Sequence, residues 1–450
     1  MEHATETLAL VVVLGLSAQW LAWRLRIPSV VLLTLAGLLA GPVVGLIHPS
    51  EALGSAFQPL IKLGMATLLF EGGLALRWHE LRQAAAGVNR LITVAVVLGL
   101  TMGTAAAHLV GGLSWPVAIV FGAIAVVTGP TVILPLLRQA RLKRRPASYL
   151  KWEGIVNDPT GALLATVAFQ YLVGAGQASV GASLLHLTLG FAAAAVLGVA
   201  GGWLLGRAFL AGLAPEYLKG PIALAAALGV YALANFVLEE AGLVAATAMG
   251  LVLGNMRLPS IREIRRFKEY VAVLLVSGIF VLLTADLDPR IMLALDWHGA
   301  ALIAAVLFIV RPIAVGLATI GAGMRWQERV LVGWIAPRGV VAAAVAGVFG
   351  PALADHGYSG GDLLLPLVFA LILITVVVHG FSLPWLAQRL GLSAPKEGGL
   401  LIAGATPWST GLAEVLQKRE IPVLLADSSW HRLLAPPANG TPCGRACLLR

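Results

Sequence analysis

The main charged side chains deep within the long apolar stretches of this sequence are Glu153, Asp158, Arg311 and Arg338. A charge in hydrocarbon costs several kcal/mol unless it is paired or hydrated, so each of these residues is a candidate functional group. Carboxylate, hydroxyl and carbonyl oxygens are hard ligands that suit a weakly held alkali cation. A carboxylate among them also accepts a proton, so one site can hold either ion.

The two carboxylates share the segment from Trp152 to Ala162. On a helix Glu153 and Asn157 lie on one face, whereas Asp158 is turned by about 140° from Glu153 and displaced by roughly 7.5 Å along the axis. The two acids therefore have different roles. Small residues surround Asp158 at helical spacing, namely Gly154, Gly161, Ala162 and Ala165. Another backbone can pack against that face, and we expect it to be the segment at Thr128. Asp158, Asn157 and Thr128 are thus predicted to bind a transient alkali cation or a proton.

A structural role for Asp158 is the alternative. An Asp followed by a Pro, here Pro159, often begins a helix, with the Asp as the N-cap. Asp158 would then lie at the membrane edge and need no function. Only about sixteen residues would remain before Gly174, which is short for a membrane crossing.

Glu153 and Arg338 are predicted to form a structural ion pair, because a buried guanidinium needs a carboxylate and binds it through two parallel hydrogen bonds. Asp158 is then left to titrate. Arg311, near the end of its apolar stretch, is expected to extend its charged group toward the membrane surface. His379 is likewise expected at a membrane interface and not in proton transport.

The elements that position these residues are membrane-spanning helices. The chain has 450 residues, of which 59% are hydrophobic and 12% charged, so it lacks the charged surface of a soluble protein. Apolar stretches near the 20 residues that a crossing needs recur along the chain. Thirteen spans are predicted near residues 5–23, 29–47, 57–76, 91–110, 115–137, 153–174, 183–206, 220–238, 241–256, 269–285, 298–320, 330–350 and 362–388. The first span has no basic leader, so we expect it to be retained.

Charges in the loops predict the orientation. Loops after odd-numbered spans hold 20 Lys and Arg residues, and loops after even-numbered spans hold only Arg290. Basic residues stay in the cytoplasm, so the N-terminus is predicted outside and the C-terminus inside a bacterial-type plasma membrane. The net charge of +9 then reflects topology and anionic lipid, and gives no reason to expect a nucleic-acid partner.

The span positions predict an inverted repeat of two six-helix halves. Spans one to six and eight to thirteen begin at similar intervals, and seven spans, an odd number, separate equivalent helices. Span five is interrupted at Gly129 and Pro130, and its equivalent, span twelve, at Pro337 and Gly339. Such residues free backbone groups inside the bilayer, where these groups need partners. We predict that the two broken helices cross; a pair of tolerated kinks is the alternative.

In these features the chain resembles the monovalent cation:proton antiporter family, on the branch of bacterial sodium/proton antiporters with an Asn-Asp pair. The motifs that carry the likeness span roughly residues 5–390 and are Ile27-Pro28, Ala36 to Pro42, Phe70 to Leu74, Thr128-Gly129-Pro130, Glu153 with Asn157-Asp158, Glu240 to Leu243, Gly250 to Asn255 and Pro337-Arg338-Gly339.

The resemblance implies a homodimer with a mobile core, alternating access, and Asp158 as the carboxylate shared by cation and proton. It also implies that Asn157 marks electroneutral exchange of one Na+ or K+ for one H+, in the service of pH homeostasis. Two residues depart from the family pattern. Gly129 stands where members commonly have Asp, and Gly154 where they often have Ser. Two oxygen ligands are therefore expected to be absent, and the choice between Na+, K+ and Li+ stays open.

Two other functions are left open, a cation channel and a sodium-coupled solute symporter. A channel filter would need repeated selective loops, which the sequence does not show. No nucleophile triad or metal-ligand cluster is visible, so we expect neither an enzyme nor a bound cofactor.

The chain is divided at about residue 390, where its apolar character ends. Residues 1–390 are predicted to form the exchanger domain, 396–434 a partial β-α-β fragment resembling the start of a nucleotide-binding domain, and 435–450 a disordered tail. Of the glycine pattern that binds a dinucleotide, only Gly404 is present, so nucleotide binding is not expected.

Overall fold

The computed structural model describes residues 4–25, 27–173, 180–238, 240–258, 261–287, 296–394, 399–419, 421 and 423–427. Two compact units divide the chain, Met1–Ser393 and Ala394–Arg450. The predicted disordered tail at 435–450 lies outside the described residues.

Helices build the whole of the first unit that the structure describes. They are α1 Ala4–Leu25, α2 Ser29–Leu38, α3 Pro49–Leu53, α4 Phe57–Ala75, α5 Trp78–Ile92, α6 Val94–Leu109, α7 Trp115–Val126, α8 Pro130–Ala140, α9 Arg144–Val173, α10 Val180–Leu210, α11 Glu216–Asn235, α12 Ala241–Asn255, α13 Ile261–Ala285, α14 Trp297–Ala305, α15 Arg311–Ala318, α16 Trp326–Trp334, α17 Val340–Asp355 and α18 Leu364–Arg389. π-helical turns at Leu39–Val43 and Val306–Val310 extend α2 and join α14 to α15.

The predicted spans agree with these helices. Within the described residues, seven helices are long and apolar enough to cross a membrane: Ala4–Leu25, Pro49–Ala75, Ala85–Leu109, Thr188–Leu210, Glu216–Asn235, Trp297–Ala318 and Gly361–Arg389. Five shorter apolar helices are Ser29–Val43, Trp115–Val126, Ala241–Asn255, Glu269–Ala285 and Val341–Asp355. Together with α9, they place a helix on every predicted span. The all-helical membrane fold is confirmed, and the number of complete crossings stays a prediction.

Both predicted interruptions are present. Residues 127–129 separate α7 from α8, and residues 335–339 separate α16 from α17. Pro130 is the first residue of α8, where its missing N–H costs no helical hydrogen bond. The inverted relation between the two halves stays a prediction, although the breaks lie where it requires them.

Helix α9 lies at the centre of this arrangement. It packs against α7, α8 and α17, and so touches both interrupted spans. Its largest fully buried side chains are Tyr149 and Ile155, which belong to the main apolar core. The polar side chains in the middle of this helix, Glu153, Asn157 and Asp158, are buried.

The second unit contains a small β-α-β fragment. Strands β1 Leu400–Ala403 and β2 Val423–Ala426 are parallel, with Leu400 opposite Val423, and helix α19 Pro407–Lys418 connects them. Ala413, Val423 and Leu425 form its apolar core. These are the strand, helix and strand that the sequence predicts.

Candidate functional site

Asp158 lies in the middle of an unbroken helix. α9 runs from Arg144 to Val173 and includes Pro159, and the Asp158 side chain is buried, with 2% of the residue exposed. Because the helix continues through three turns on the N-terminal side of Asp158, the alternative of an N-cap at the membrane edge is wrong. Asp158 is an ionisable residue held deep within the packed helices.

The two interrupted spans cross beside this residue. The N–H of Gly129 donates a hydrogen bond to the carbonyl of Pro337, with 3.2 Å between the two atoms. A Cβ atom added to Gly339 would lie 2.5 Å from the Cα of Gly129 and 3.5 Å from Oδ1 of Asp158. The predicted crossing is therefore present, and the carboxyl group of Asp158 lies at it.

The Asp158 carboxyl group has a polar but incompletely paired environment. Its Oδ1 is buried and has no hydrogen-bond partner among the described residues. The Thr128 hydroxyl, on the interrupted segment, donates a long hydrogen bond of 3.4 Å to the carbonyl of Glu153. Since an isolated carboxylate at this depth is costly, Asp158 is stable when it carries a proton or a cation.

Small residues of α9 allow the interrupted segment to approach. A Cβ on Gly161 would lie 2.4 Å from Cγ2 of Val127, and one on Gly154 would lie 2.9 Å from Cγ2 of Ile133 and 3.9 Å from the Thr128 carbonyl. The predicted packing of this face against the Thr128 segment is confirmed.

The predicted ion pair between Glu153 and Arg338 is wrong, because Arg311 is the partner of Glu153. Arg311 Nη1 and Nη2 donate to the two carboxylate oxygens at 2.5 and 2.8 Å. Nη2 also donates to the carbonyls of Val332 and Ile335, at the C-terminal end of α16. With its side chain only 11% exposed, Arg311 does not extend to the membrane surface as the sequence suggested.

Arg338 binds the backbone of the other interrupted span. Its Nη1 donates to the carbonyl of Val127, directly after α7, at 2.9 Å, and its own N–H donates to the hydroxyl of Thr375 at 3.2 Å. The C-terminal ends of both half-helices, α7 and α16, thus carry an arginine. Cations at these ends offset the partial negative charge of the helix dipole.

His379 also lies deeper than expected. It is 2% exposed, and its ring meets that of Trp334 edge-on, with 5.8 Å between the centroids. The predicted interfacial position is wrong, because residue 379 lies within α18 and not at its end.

Comparison with known proteins identifies the family. The transmembrane domain of sodium/hydrogen exchangers matches residues 8–389. The chain belongs to this exchanger family. The predicted resemblance to monovalent cation:proton antiporters is thereby confirmed.

Three proteins similar to this chain are named as antiporters. The K(+)/H(+) antiporter NhaP of Alkalimonas amylolytica is 29% identical over 343 residues, which cover 75% of this chain and 58% of the relative. The Na(+)/H(+) antiporter ApNhaP of Aphanothece halophytica is 26% identical, with coverage of 82% and 70%. The structure of the sodium proton antiporter MjNhaP1 from Methanocaldococcus jannaschii at pH 8 superposes with a TM-score of 0.77 at 25% identity, and covers 86% of this chain and 99% of that one.

A cavity of about 250 Å³ lies beside one of the interrupted spans. It lies between α1, α4, α8 and α13, and its lining includes Pro130, Leu134, Glu71 and Glu269. Pro130 is the first residue of α8 after the interruption, so the cavity borders the half-helix that begins there. Glu71 and Glu269 place two carboxyl groups in its walls.

Among the described residues, the N–H groups of Ala405, Thr406 and Ser409 at the start of α19 have partners within the chain. The carboxylate of Asp427 accepts a hydrogen bond from the N–H of Ala405 at 2.7 Å, and the Ser409 hydroxyl donates to the carbonyl of Gly404 at 2.6 Å. Thr406 caps the helix by accepting from the Ser409 N–H. These three N–H groups are therefore not free to bind a pyrophosphate.

Proposed function

We propose that this exchanger is a secondary antiporter that moves Na+ or K+ against H+ by alternating access, with Asp158 as the group that binds either ion. The observation that supports it most directly is the carboxyl oxygen of Asp158, buried and unpaired within the described residues, beside two crossing broken helices. Thr128 and the backbone carbonyls of the crossing would supply further oxygen ligands. The named activities of the relatives include both K(+)/H(+) and Na(+)/H(+) exchange, so both cations are proposed substrates.

Exchange follows from the cost of a bare charge. An unpaired carboxylate in a desolvated site is unfavourable, so the site changes its accessibility when Asp158 is protonated or paired with a cation. One carboxylate binds one proton or one monovalent cation, so a full cycle moves one of each and no net charge. Electroneutral exchange is therefore part of the proposal.

The proposed location is the plasma membrane of a bacterial-type cell, with the C-terminus in the cytoplasm. The acidic cavity lies near basic loops, since Arg77 follows Glu71 by six residues and Lys268 directly precedes Glu269. Basic loops remain on the cytoplasmic side, so the cavity is proposed to admit cations from the cytoplasm. A homodimer, as the family resemblance implies, completes the proposal.

The decisive experiment compares Asp158→Asn with Asp355→Asn in reconstituted vesicles. Asp355 is an exposed carboxylate at the end of α17 and serves as the matched control. We expect Asp158→Asn to abolish the dissipation of a pH gradient on addition of sodium, potassium or lithium, while the protein stays folded. The control variant should retain exchange.

The same vesicles separate the competing functions. Dissipation by the Asp158→Asn variant would remove Asp158 from its role. Cation flux without proton movement would indicate a channel, and solute-dependent sodium uptake without a pH change would indicate a symporter. A membrane-potential clamp tests electroneutrality, because an electroneutral exchanger is insensitive to voltage.

A further inference from the structure

Another, much smaller cavity lies beside Asn157. It measures about 20 Å³, and its polar lining comes from Asn157, Arg311 and Arg338. Alanine, glycine and valine residues of the spans around it form the rest of the lining, among them Gly99 and Val126. The π-helical turn at Val306–Val310 adjoins it and directly precedes Arg311. Such turns widen a helix locally and often mark functional positions.

Each of the three polar residues has an unsatisfied atom. Oδ1 of Asn157, Nε of Arg311 and Nε of Arg338 are buried and have no hydrogen-bond partner in the described part of the chain. Asn157 and Arg338 are 2% and 5% exposed. A buried polar atom without a partner costs about 1–3 kcal/mol, so three around one cavity indicate a ligand that satisfies them together.

The chemistry of these atoms selects a water molecule. Each arginine Nε–H is a donor and the amide oxygen of Asn157 is an acceptor, so the ligand must accept two hydrogen bonds and donate one. A single water does both, and a cavity above about 10–15 Å³ with two to four polar partners is large enough to hold it. Two guanidinium groups exclude a cation from the same position.

We propose that one structural water bridges Asn157 to Arg311 and Arg338, and that Asn157 is a positioning residue and not a ligand of the transported cation. The water would join α9 to the interrupted segment 335–339 and to the helix that carries Arg311. Asn157 then acts on the neighbouring Asp158 through the packing of these elements. This role differs from the ion-binding role that the sequence predicted for Asn157.

An anion is the competing ligand. Two guanidinium groups and the single carboxylate of Glu153 leave one positive charge, and a chloride ion would offset it. Chloride cannot donate a hydrogen bond, so Oδ1 of Asn157 would face it unfavourably unless the amide group were turned around. The amide orientation therefore favours water.

A map of the full chain that resolves ordered solvent tests the ligand directly. We expect one peak at about 2.7–3.2 Å from Oδ1 of Asn157 and from both Nε atoms. Crystals grown in bromide should show no anomalous peak there. Either a bromide peak or the absence of any peak would overturn the proposal.

A substitution that fills the cavity tests for the water through its effect on the melting temperature. A Cβ on Gly99 would meet only Cγ2 of Val126, at 3.4 Å, and one on the control residue Gly229 of α11 would meet nothing within 4 Å. Displacing a water strands three polar groups, so Gly99→Val should melt several degrees below Gly229→Val. Filling a dry cavity would instead leave the melting temperature equal to that of the control or above it.

Transport kinetics test the role of Asn157. Asn157→Leu keeps the branching at Cγ but cannot hold the water, so the maximal rate should fall while the apparent KM for sodium or potassium changes less than twofold. A tenfold rise in KM would return Asn157 to the cation site. Because the proposed function rests on Asp158→Asn, failure of this test leaves that function standing.

Discussion

Glu153 is paired with Arg311 and not with Arg338, so removing Arg311 and removing Arg338 should have different costs in stability. Glu153 and Arg311 form a buried pair with two parallel hydrogen bonds, and Arg311 also binds two carbonyls at the end of α16. Removing one member of a buried pair leaves an uncompensated charge, which typically costs about 3–5 kcal/mol. Removing both avoids that cost.

We therefore predict strong coupling between these two residues. Glu153→Ala and Arg311→Ala should each lower the melting temperature in detergent. The sum of these two decreases should be much larger than the decrease in the double variant. The control cycle combines Glu153→Ala with Arg338→Ala, whose side chain binds the Val127 carbonyl instead. Equal coupling in the two cycles would contradict the pairing seen in the structure.

The position of Arg311 along its helix is a sequence feature that indicates an internal partner. It lies seven residues before the end of α15 at Ala318, a depth of roughly 10 Å. A side chain at that depth reaches the surface only with difficulty, so an internal partner was the better expectation. Which carboxylate it meets could not be predicted, because the π-helical turn before Arg311 changes the direction of every later side chain on that helix.

At the scale of the elements, the crossing depends on the closeness of two glycines. A Cβ on Gly339 would lie 2.5 Å from the backbone of Gly129, whereas a Cβ on Gly347 of the adjoining α17 would approach only Cδ1 of Leu365, at 3.8 Å. Backbone cannot rotate away as a side chain can. The first contact therefore has to be relieved by moving the two broken spans apart.

Gly339→Ala is predicted to destabilise the protein by about 1–3 kcal/mol and to impair exchange, because it displaces the segment beside Asp158. The matched substitution Gly347→Ala should be neutral or slightly stabilising, since alanine favours the helix. Melting temperature and vesicle exchange rate measure the two effects. Normal transport by Gly339→Ala would show that the crossing is looser than the structure indicates.

These elements were the part of the fold most accessible to sequence reasoning. The breaks at Gly129-Pro130 and Pro337-Gly339 were visible because proline and glycine act locally, and the small face of α9 was visible because helical spacing places Gly154 and Gly161 beside Asp158. The partners of the arginines depend on how distant helices align. No local pattern records that alignment.

At the scale of the whole molecule, the candidate ion site and the β-α-β fragment belong to different units. The crossing, the ion pairs and the acidic cavity all lie within Met1–Ser393, and the fragment has its own apolar core. Backbone contacts within the first unit continue to its end, since the N–H of Lys143 donates to the carbonyl of Leu392 at 2.8 Å. A truncated chain that preserves the first unit must therefore include Leu392.

We predict that a chain ending after Ala394 still catalyses exchange in vesicles at a rate within about twofold of the full chain, because none of the groups proposed to bind ions is removed. Loss of exchange on truncation would make the fragment part of the transport mechanism.

The full chain should also show no shift in melting temperature with NAD or ATP, since Asp427 and Ser409 already occupy the start of α19. A tight nucleotide ligand would raise the melting temperature by mass action. A nucleotide-dependent shift would show that the N-terminus of α19 opens to the ligand.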